Sequence, residues 1–211
     1  MKCLSLFVRA IAGLSLVCSM LMFSALSDAQ TENLFGSVGA GSYGVFDAHF
    51  RAGAWSLQNL PSSGGLSGPS PVATMNFGGQ IHVFFAVNRC RSGNCYVDIY
   101  EDYSSDGVNW TGRDVSAEAN IDISLCPSSG LSAYVDGQGL PRVFGVVGVG
   151  TDCATTFLVG AYFQNGNWVA ESDLSPAGIG SPALDTDLVG YVYNGYPTIW
   201  YVGSNSGTTN I

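Results

Sequence analysis

A strand-like segment that ends in a glycine-containing turn and a tryptophan occurs three times in this chain. The central copy spans residues 96–110 and reads YVDIYEDYSSDGVNW, and the outer copies end at Trp55 and Trp168. β-Branched and aromatic residues suit a half-buried strand, and a turn with Gly between two such segments is a hairpin signal. Each copy therefore predicts a strand, a tight turn and a returning strand that begins at the Trp.

A second motif recurs in phase with these tryptophans. It is a short apolar strand that follows a Gly, and its β-branched residues Val83, Val143 and Ile199 come 28, 33 and 31 residues after the preceding Trp. The three tryptophans are themselves 55 and 58 residues apart. Because two different motifs keep the same spacing, we predict a repeated structural unit that holds about four strands.

A repeated four-stranded sheet has to bury both of its faces against neighbours, which is the architecture of a β-propeller. We predict that residues 30–211 form an all-β, propeller-like array of about three four-stranded blades, almost without helix, because no segment shows helical apolar spacing. A two-sheet β-sandwich is the alternative. Since a closed ring usually has about four to eight blades, we expect either a homodimer that completes the ring or a piece of a longer chain.

Residues 1–29 have the features of a signal peptide. Lys2 and Arg9 make the start basic, an apolar core follows, and Ser27-Asp28-Ala29 supplies small residues at the positions that cleavage requires. A membrane anchor is the alternative, although an apolar run of about 17 residues is at the short limit for spanning a bilayer. We expect a secreted or periplasmic protein that has no membrane attachment after cleavage.

The charge of residues 30–211 excludes some classes of partner. This part of the chain has five Arg, no Lys and fifteen acidic residues. A net negative surface repels nucleic acids and anionic membranes. We therefore expect neither as a partner.

Four cysteines follow the signal segment, and in an oxidising compartment an even number favours disulfides. A metal site is not expected, because the chain has only two histidines and no Cys-x-x-Cys spacing. No cofactor is expected either, since the glycines are scattered among turns and form no phosphate-binding loop. The predicted disulfides are Cys90–Cys95 and Cys126–Cys153.

The turn of the central copy resembles the Asp-box of sialidase-type propellers. It reads Ser104-Ser105-Asp106-Gly107-Val108-Asn109-Trp110, against Ser-x-Asp-x-Gly-x-x-Trp in that family, with one residue fewer between Asp and Gly. In the family the Asp and Ser hydrogen-bond the hairpin backbone and the Trp packs between strands. The resemblance implies these structural roles for Ser104, Asp106, Gly107 and Trp110. It implies no catalysis, and the Phe-Arg-Ile-Pro motif of sialidases is missing from the sequence.

Two of the in-phase strands are similar to the Ile-Arg-Val-Tyr-Tyr strand of the six-bladed fucose-binding lectins. They are IHVFF at residues 81–85 and PRVF at residues 141–144. In those lectins the Arg, a Glu on the next strand and a nearby aromatic side chain bind the sugar between blades. The resemblance implies that Arg142 takes the role of the Arg. His82 stands at its position in the preceding repeat, where Glu101 follows.

We therefore favour a lectin-like protein that binds glycans over an enzyme. Sugar binding needs an aromatic surface for the apolar side of the ring together with a few fixed donors and acceptors. The alternative for each aromatic residue is a place in the core between sheets, and for Arg142 a solvated position on the surface. The predicted ligand-binding residues are His82, Glu101, Arg142, Tyr193, Trp200 and Tyr201.

Two other functions stay open at this stage. The second hypothesis is a non-catalytic structural or protein-interaction propeller. The third is a glycosidase-type hydrolase, which needs two carboxyl groups about 5–9 Å apart across a cleft. The carboxylates that could form such a pair are Glu101 with Asp102 and Asp185 with Asp187.

Overall fold

The structure is a computed structural model, and its regular elements are almost all β-strands, which confirms the all-β class. The chain divides into two compact units; Ala48–Gln58 belongs to the first, and the cores and clefts described below lie in the second. The described residues are 32–39, 43–51, 53–63, 70–91, 94–121, 130–149, 155–171, 174, 181–182, 188–201, 203–205 and 208–210.

Two four-stranded antiparallel sheets make up the centre of the fold, and in each the strands are hydrogen-bonded in chain order. The first contains β4 (Val72–Phe77), β5 (Gln80–Arg91), β6 (Asn94–Ser104) and β7 (Thr111–Asp114). The second contains β8 (Leu131–Val135), β9 (Pro141–Val149), β10 (Thr155–Gln164) and β11 (Asn167–Ala170).

The remaining strands form smaller sheets on either side of these two in the sequence. A three-stranded sheet has the order β1-β2-β3, a hairpin joins β13 and β14, and another small sheet has the order β12-β15-β16. Their bounds are β1 (Glu32–Gly39), β2 (Tyr43–Arg51), β3 (Ala54–Asn59), β12 (Ser181–Pro182), β13 (Val189–Tyr193), β14 (Tyr196–Trp200), β15 (Gly203–Asn205) and β16 (Thr208–Asn210).

Each of the three tryptophans begins the last strand of its sheet, as the repeated motif predicts. Trp55 and Trp168 are the second residues of β3 and β11, and Trp110 directly precedes β7. The tight turns supply the reversal: Asn165-Gly166 joins β10 to β11, and both residues have positive φ, as a two-residue hairpin turn requires. The sheet that carries Trp55 has three strands instead of four.

Both faces of the central sheets are buried. In β5 the side chains of Val83 and Phe85 belong to one hydrophobic cluster and that of Phe84 to another, in keeping with the alternation of a strand. In β9, Val143 and Phe144 divide in the same way. The described side chains therefore form three apolar layers in chain order: the first contains Val83, the middle layer contains Phe84 and Val143, and the third contains Phe144. A two-sheet sandwich has a single layer.

The middle layer joins the two four-stranded sheets. It contains side chains from β4 to β6 and from β8 to β11, and β4 packs against β8. In this layer Phe84 packs edge-on against Trp168, with ring centroids 5.5 Å apart and an interplanar angle of 88°. This layer positions the cleft described below.

One short α-helix, α1 (Val115–Ala119), also contributes to the middle layer. The Asp114 side chain caps it by accepting a hydrogen bond from the Ala117 N–H at 2.9 Å, and Asn120 ends it in the left-handed conformation. The sequence predicts an array almost without helix, and this helix is only five residues long. Pro61–Ser63 form a short 3-10 helix.

Several predictions made from the sequence lie outside the described residues. They are the signal segment 1–29 and the disulfide between Cys126 and Cys153. Among the residues that the structure describes, no helix is both long and apolar enough to cross a membrane.

Substitution of Phe84 by Ala tests the middle layer. Phe84 is fully buried, so the cavity should lower the free energy of unfolding by about 3–5 kcal/mol. Phe157→Ala is the matched control, because Phe157 is 41 % exposed and should cost much less. Chemical denaturation measures both, and equal losses for the two variants would contradict the packing described here.

The register of β5 and β6 sets Cys90 directly opposite Cys95. Cα atoms of such pairs are about 4.5–5.5 Å apart, within the range of about 4.4–6.8 Å that a disulfide requires. We expect mass spectrometry of the unreduced protein to find a peptide in which these two residues are linked. Recovery of both as free thiols from oxidising conditions would contradict this prediction.

Candidate functional site

A buried carboxylate marks the candidate site. Glu101 lies on β6 and is 2 % exposed, and its Oε1 atom is 2.5 Å from Nδ1 of His82 on β5. The other ring nitrogen of His82, Nε2, donates to the carbonyl oxygen of Phe77 at 3.2 Å. Since a carbonyl oxygen only accepts, Nε2 is the donor of this bond.

The second oxygen of Glu101 links the two central sheets. Oε2 accepts a hydrogen bond of 2.8 Å from the indole N–H of Trp168, which lies on β11 of the neighbouring sheet. It also lies 3.4 Å from Nε of Arg113 on β7. A buried carboxylate is costly without such partners, so these contacts stabilise Glu101 and hold the sheets in register.

Arg113 lies between two aromatic rings. Its Cζ atom is 4.9 Å from the ring centroid of Tyr103 and 5.1 Å from that of Phe163, which are cation–π distances. Burial opposes the charge, but the hydrogen bond with Tyr103 and the charges of Glu101 and Glu118 outweigh burial and raise the pKa of Arg113. The guanidinium is therefore charged at every physiological pH.

These side chains surround a small cleft at the edge of the middle layer. The cleft has a volume of about 70 Å³, and a cavity of about 10–15 Å³ is enough to hold one water molecule. It therefore has room for several waters or for one polar edge of a larger molecule. Its floor is formed by Glu101 and His82, and its walls include Phe77, Gln80, Tyr103, Arg113 and Phe163.

Arg142 lies elsewhere, on the other side of the neighbouring sheet. Its Nε atom donates to Asp136 at 2.7 Å, its Nη1 atom donates to Glu171, and its Cζ atom is 5.6 Å from the ring centroid of Tyr162. Arg142 is 9 % exposed. The hypothesis that this residue is solvated is therefore wrong.

Asp136 holds Arg142 in place. Its Oδ1 atom also accepts the backbone N–H groups of Gln138 and Leu140, at 2.8 and 2.9 Å. Burial would raise the pKa of this carboxyl, but these hydrogen bonds and the Arg142 guanidinium outweigh burial and lower it. The carboxylate is thus ionised, and it fixes the turn between β8 and β9.

The predicted aromatic residues lie near the β13–β14 hairpin and do not line the cleft. Tyr193 and Trp200 are exposed, and the indole N–H of Trp200 donates to the hydroxyl of Tyr191. Tyr201 packs instead against the third apolar layer, to which Phe144 belongs. Of the predicted ligand-binding residues, the structure therefore brings together His82 and Glu101, and it separates them from Arg142 and from the hairpin.

The turn that resembles an Asp-box is closed by its own side chains. Asp106 Oδ1 accepts the backbone N–H groups of Val108 and Asn109, each at 2.8 Å, and Ser104 Oγ accepts that of Gly107 at 2.8 Å. Gly107 has a φ of +64°, which favours glycine at this position.

Trp110, which follows this turn, packs edge-on against Phe35 with ring centroids 5.8 Å apart. The turn and its Trp thus have the contacts of a structural hairpin, and none of these residues lines the cleft.

The two neighbouring carboxylates Glu101 and Asp102 do not face each other. Consecutive residues of a strand point to opposite faces, and Asp102 accepts a hydrogen bond of 3.1 Å from the backbone N–H of Ser62. Burial raises the pKa of Asp102. The other candidate pair, Asp185 and Asp187, lies outside the described residues.

Sequence reasoning missed several residues of these sites. Arg113 faces Glu101 because the hairpin turn sets them opposite each other in register, and counting back from the turn could have found it. Phe163 and Trp168 come from the neighbouring sheet, and nothing local indicates that they meet Glu101. Glu171 is 29 residues from Arg142, so its pairing has no sequence signal either.

Comparison with known proteins finds no family model and no curated protein that matches this chain. Among the described side chains, no group of three or more His, Cys, Asp or Glu residues is placed to bind a metal ion.

Replacement of Asp106 by Asn tests the turn. The hydrogen bonds from the backbone N–H groups of Asn109 and Val108 lower the pKa of Asp106 from its ordinary value of 3.8. A carboxyl whose pKa falls on folding stabilises the protein above its ordinary pKa, and this contribution is lost as the pH falls towards the folded pKa. We expect Asp106→Asn to lower the melting temperature at about pH 7, with a difference that shrinks towards about pH 2.

Ser105→Ala, an exposed and non-titrating position in the same turn, serves as the control and should follow the wild type at every pH. Thermal denaturation at a series of pH values measures all three proteins. A gap between Asp106→Asn and wild type that is constant with pH would show that the charge of Asp106 has no role.

Proposed function

We propose that this protein is a lectin-like carbohydrate-binding protein and that the cleft between the two central sheets is its binding site. The observation that supports this proposal most is the combination of polar and aromatic groups there. The carboxylate of Glu101 and the guanidinium of Arg113 lie among the rings of Tyr103 and Phe163. In the fucose-binding lectins, which the strand at residues 81–85 resembles, the sugar likewise binds between sheets.

The chemistry of the cleft suits a sugar. Each sugar hydroxyl both donates and accepts, so a site needs donors and acceptors side by side. Arg113 supplies donors, Glu101 supplies acceptor lone pairs, and the amide of Gln80 supplies both. The aromatic rings that line the cleft offer apolar edges for the C–H groups of the sugar.

The size and charge of the cleft narrow the class of ligand. About 70 Å³ accommodates one edge of a sugar ring while the rest stays at the mouth. The positive charge of Arg113 is already balanced by Glu101 and Glu118, which lie 3.4 and 3.8 Å from its Nε atom. The site therefore favours a neutral glycan over an acidic one.

A non-catalytic interaction protein is the second candidate, and one observation favours it. Both oxygens of Glu101 are already bonded by side chains of this chain, from His82 and Trp168. If the protein is such an interaction protein, the hydrogen bonds of Glu101 serve only to join the two sheets. The two candidates differ in whether any glycan binds.

Glycan binding by the purified protein tests the proposal. We expect a glycan array to identify a neutral sugar, and Arg113→Ala to weaken its binding about 10- to 100-fold, because a charged hydrogen bond contributes about 1.5–3 kcal/mol. Titration calorimetry measures the dissociation constants. Gln80→Ala, at the rim, should weaken binding by a smaller factor without disturbing the core.

Val108→Ser is the matched control, since Val108 is exposed and does not line the cleft. Circular dichroism confirms that each variant is folded. An array without signal for folded wild-type protein would overturn the proposal in favour of the second candidate. Undiminished binding by both cleft variants would show that the sugar binds outside the cleft, and would overturn the assignment of the site.

A further inference from the structure

The β13–β14 hairpin has one side that is rich in exposed aromatic residues. Three cross-strand pairs lie directly opposite each other in register, so their six side chains share one side, which we name the hairpin face. Tyr193, Tyr196 and Trp200 are 61 %, 73 % and 58 % exposed. The hairpin face consists of Val189, Tyr191, Tyr193, Tyr196, Thr198 and Trp200.

The other side of the same hairpin packs against the second central sheet. The backbone N–H of Gly190 donates to Ser132 Oγ on β8 at 2.7 Å, and Ile199 packs against the third apolar layer with Phe144. The hairpin therefore already covers the second central sheet. Among the described strands, none covers the hairpin face in the way that the hairpin covers the second central sheet.

The repeat shows what the hairpin face is equivalent to. Trp200 occupies the position of Phe84 in β5 and of Phe144 in β9, because the three strands align as GQIHVF, GLPRVF and GYPTIW. Phe84 and Phe144 are 0 % and 1 % exposed, since the sheet that follows each of them covers it. Trp200 thus has the position and the chemistry of a side chain that a further sheet buries.

The surface that should cover it also follows from the repeat. Phe84 is covered by Trp168, the tryptophan that begins the last strand of the following sheet. The counterpart of Trp168 in β3 is Trp55, which has contacts within its own chain but is 52 % exposed. Leu57 lies on the same side of the strand and is 74 % exposed. The side of β3 that carries these two residues therefore matches the hairpin face.

We propose that two copies of this chain associate head to tail, with the hairpin face of one copy against the Trp55 and Leu57 side of β3 in the other. The contact joins two different surfaces, so each copy contributes one of each kind. Exposed apolar patches of this kind mark interaction sites. The six residues of the hairpin face carry no charge, which matters because the chain has a net charge of −9 and copies otherwise repel each other.

Light scattering and sedimentation equilibrium of the full protein test this proposal. We expect a concentration-dependent mass that reaches about twice the mass of one chain. Trp200→Ser should weaken association at least about 30-fold, the ratio for the loss of a buried Trp anchor. Leu57→Asp should act similarly because it places an unpaired charge in the contact. Val108→Ser, which lies on neither surface, should leave the mass unchanged.

Mixing the two disrupted variants gives the sharpest result. Each variant alone has one defective side in every contact, but the intact hairpin face of Leu57→Asp fits the intact β3 side of Trp200→Ser. We expect the mixture to recover a dimer at concentrations where each variant alone is monomeric. Circular dichroism confirms that both variants are folded.

Three results would overturn the proposal. One is a monomeric mass for wild type over a wide concentration range, which would mean that another segment or ligand covers the hairpin face. Another is a dimer that survives Leu57→Asp, which would indicate a contact between two like surfaces. The last is a mixture of the two variants that stays monomeric.

Discussion

Each central sheet of this protein has apolar side chains on both faces, and exposure of either face to water is unfavourable. Along β5, the consecutive residues Val83, Phe84 and Phe85 are all buried, although they point alternately to opposite sides. Burial of a large apolar side chain contributes about 1.5–3 kcal/mol, so a sheet of this kind gains stability only when neighbours cover both sides. The stacking of sheets, the repeat in the sequence and the contact that we propose at the hairpin face all follow from this requirement.

Within an otherwise apolar layer, Glu101 is the main polar link. It lies on one central sheet and binds the indole of Trp168 on the other, and His82 and Arg113 complete its partners. Such a group is tolerated only in one register, because a shift of the sheets would leave the carboxylate buried without donors. The cleft opens where this network reaches the edge of the layer, so the residues that align the sheets are also those that we propose meet the ligand.

The sequence predicted the features that depend on local chemistry. Trp168 begins its strand and the turn around Gly107 reverses the chain because both depend on residues within a few positions of one another. The contact of Arg113 with Phe163 joins different sheets, and nothing local specifies it. Helix α1 is five residues long, too short to show helical spacing, and it exists because Asp114 caps it and the middle layer covers it.

Native-state hydrogen exchange tests the mutual dependence of the two central sheets most directly. If each sheet is stable only while the other covers it, the slowest amides of β4–β7 and of β8–β11 should exchange through one common opening, with the same free energy and the same dependence on denaturant. A sheet β8–β11 that opens at clearly lower free energy, while the amides of β4–β7 stay protected, would contradict this account.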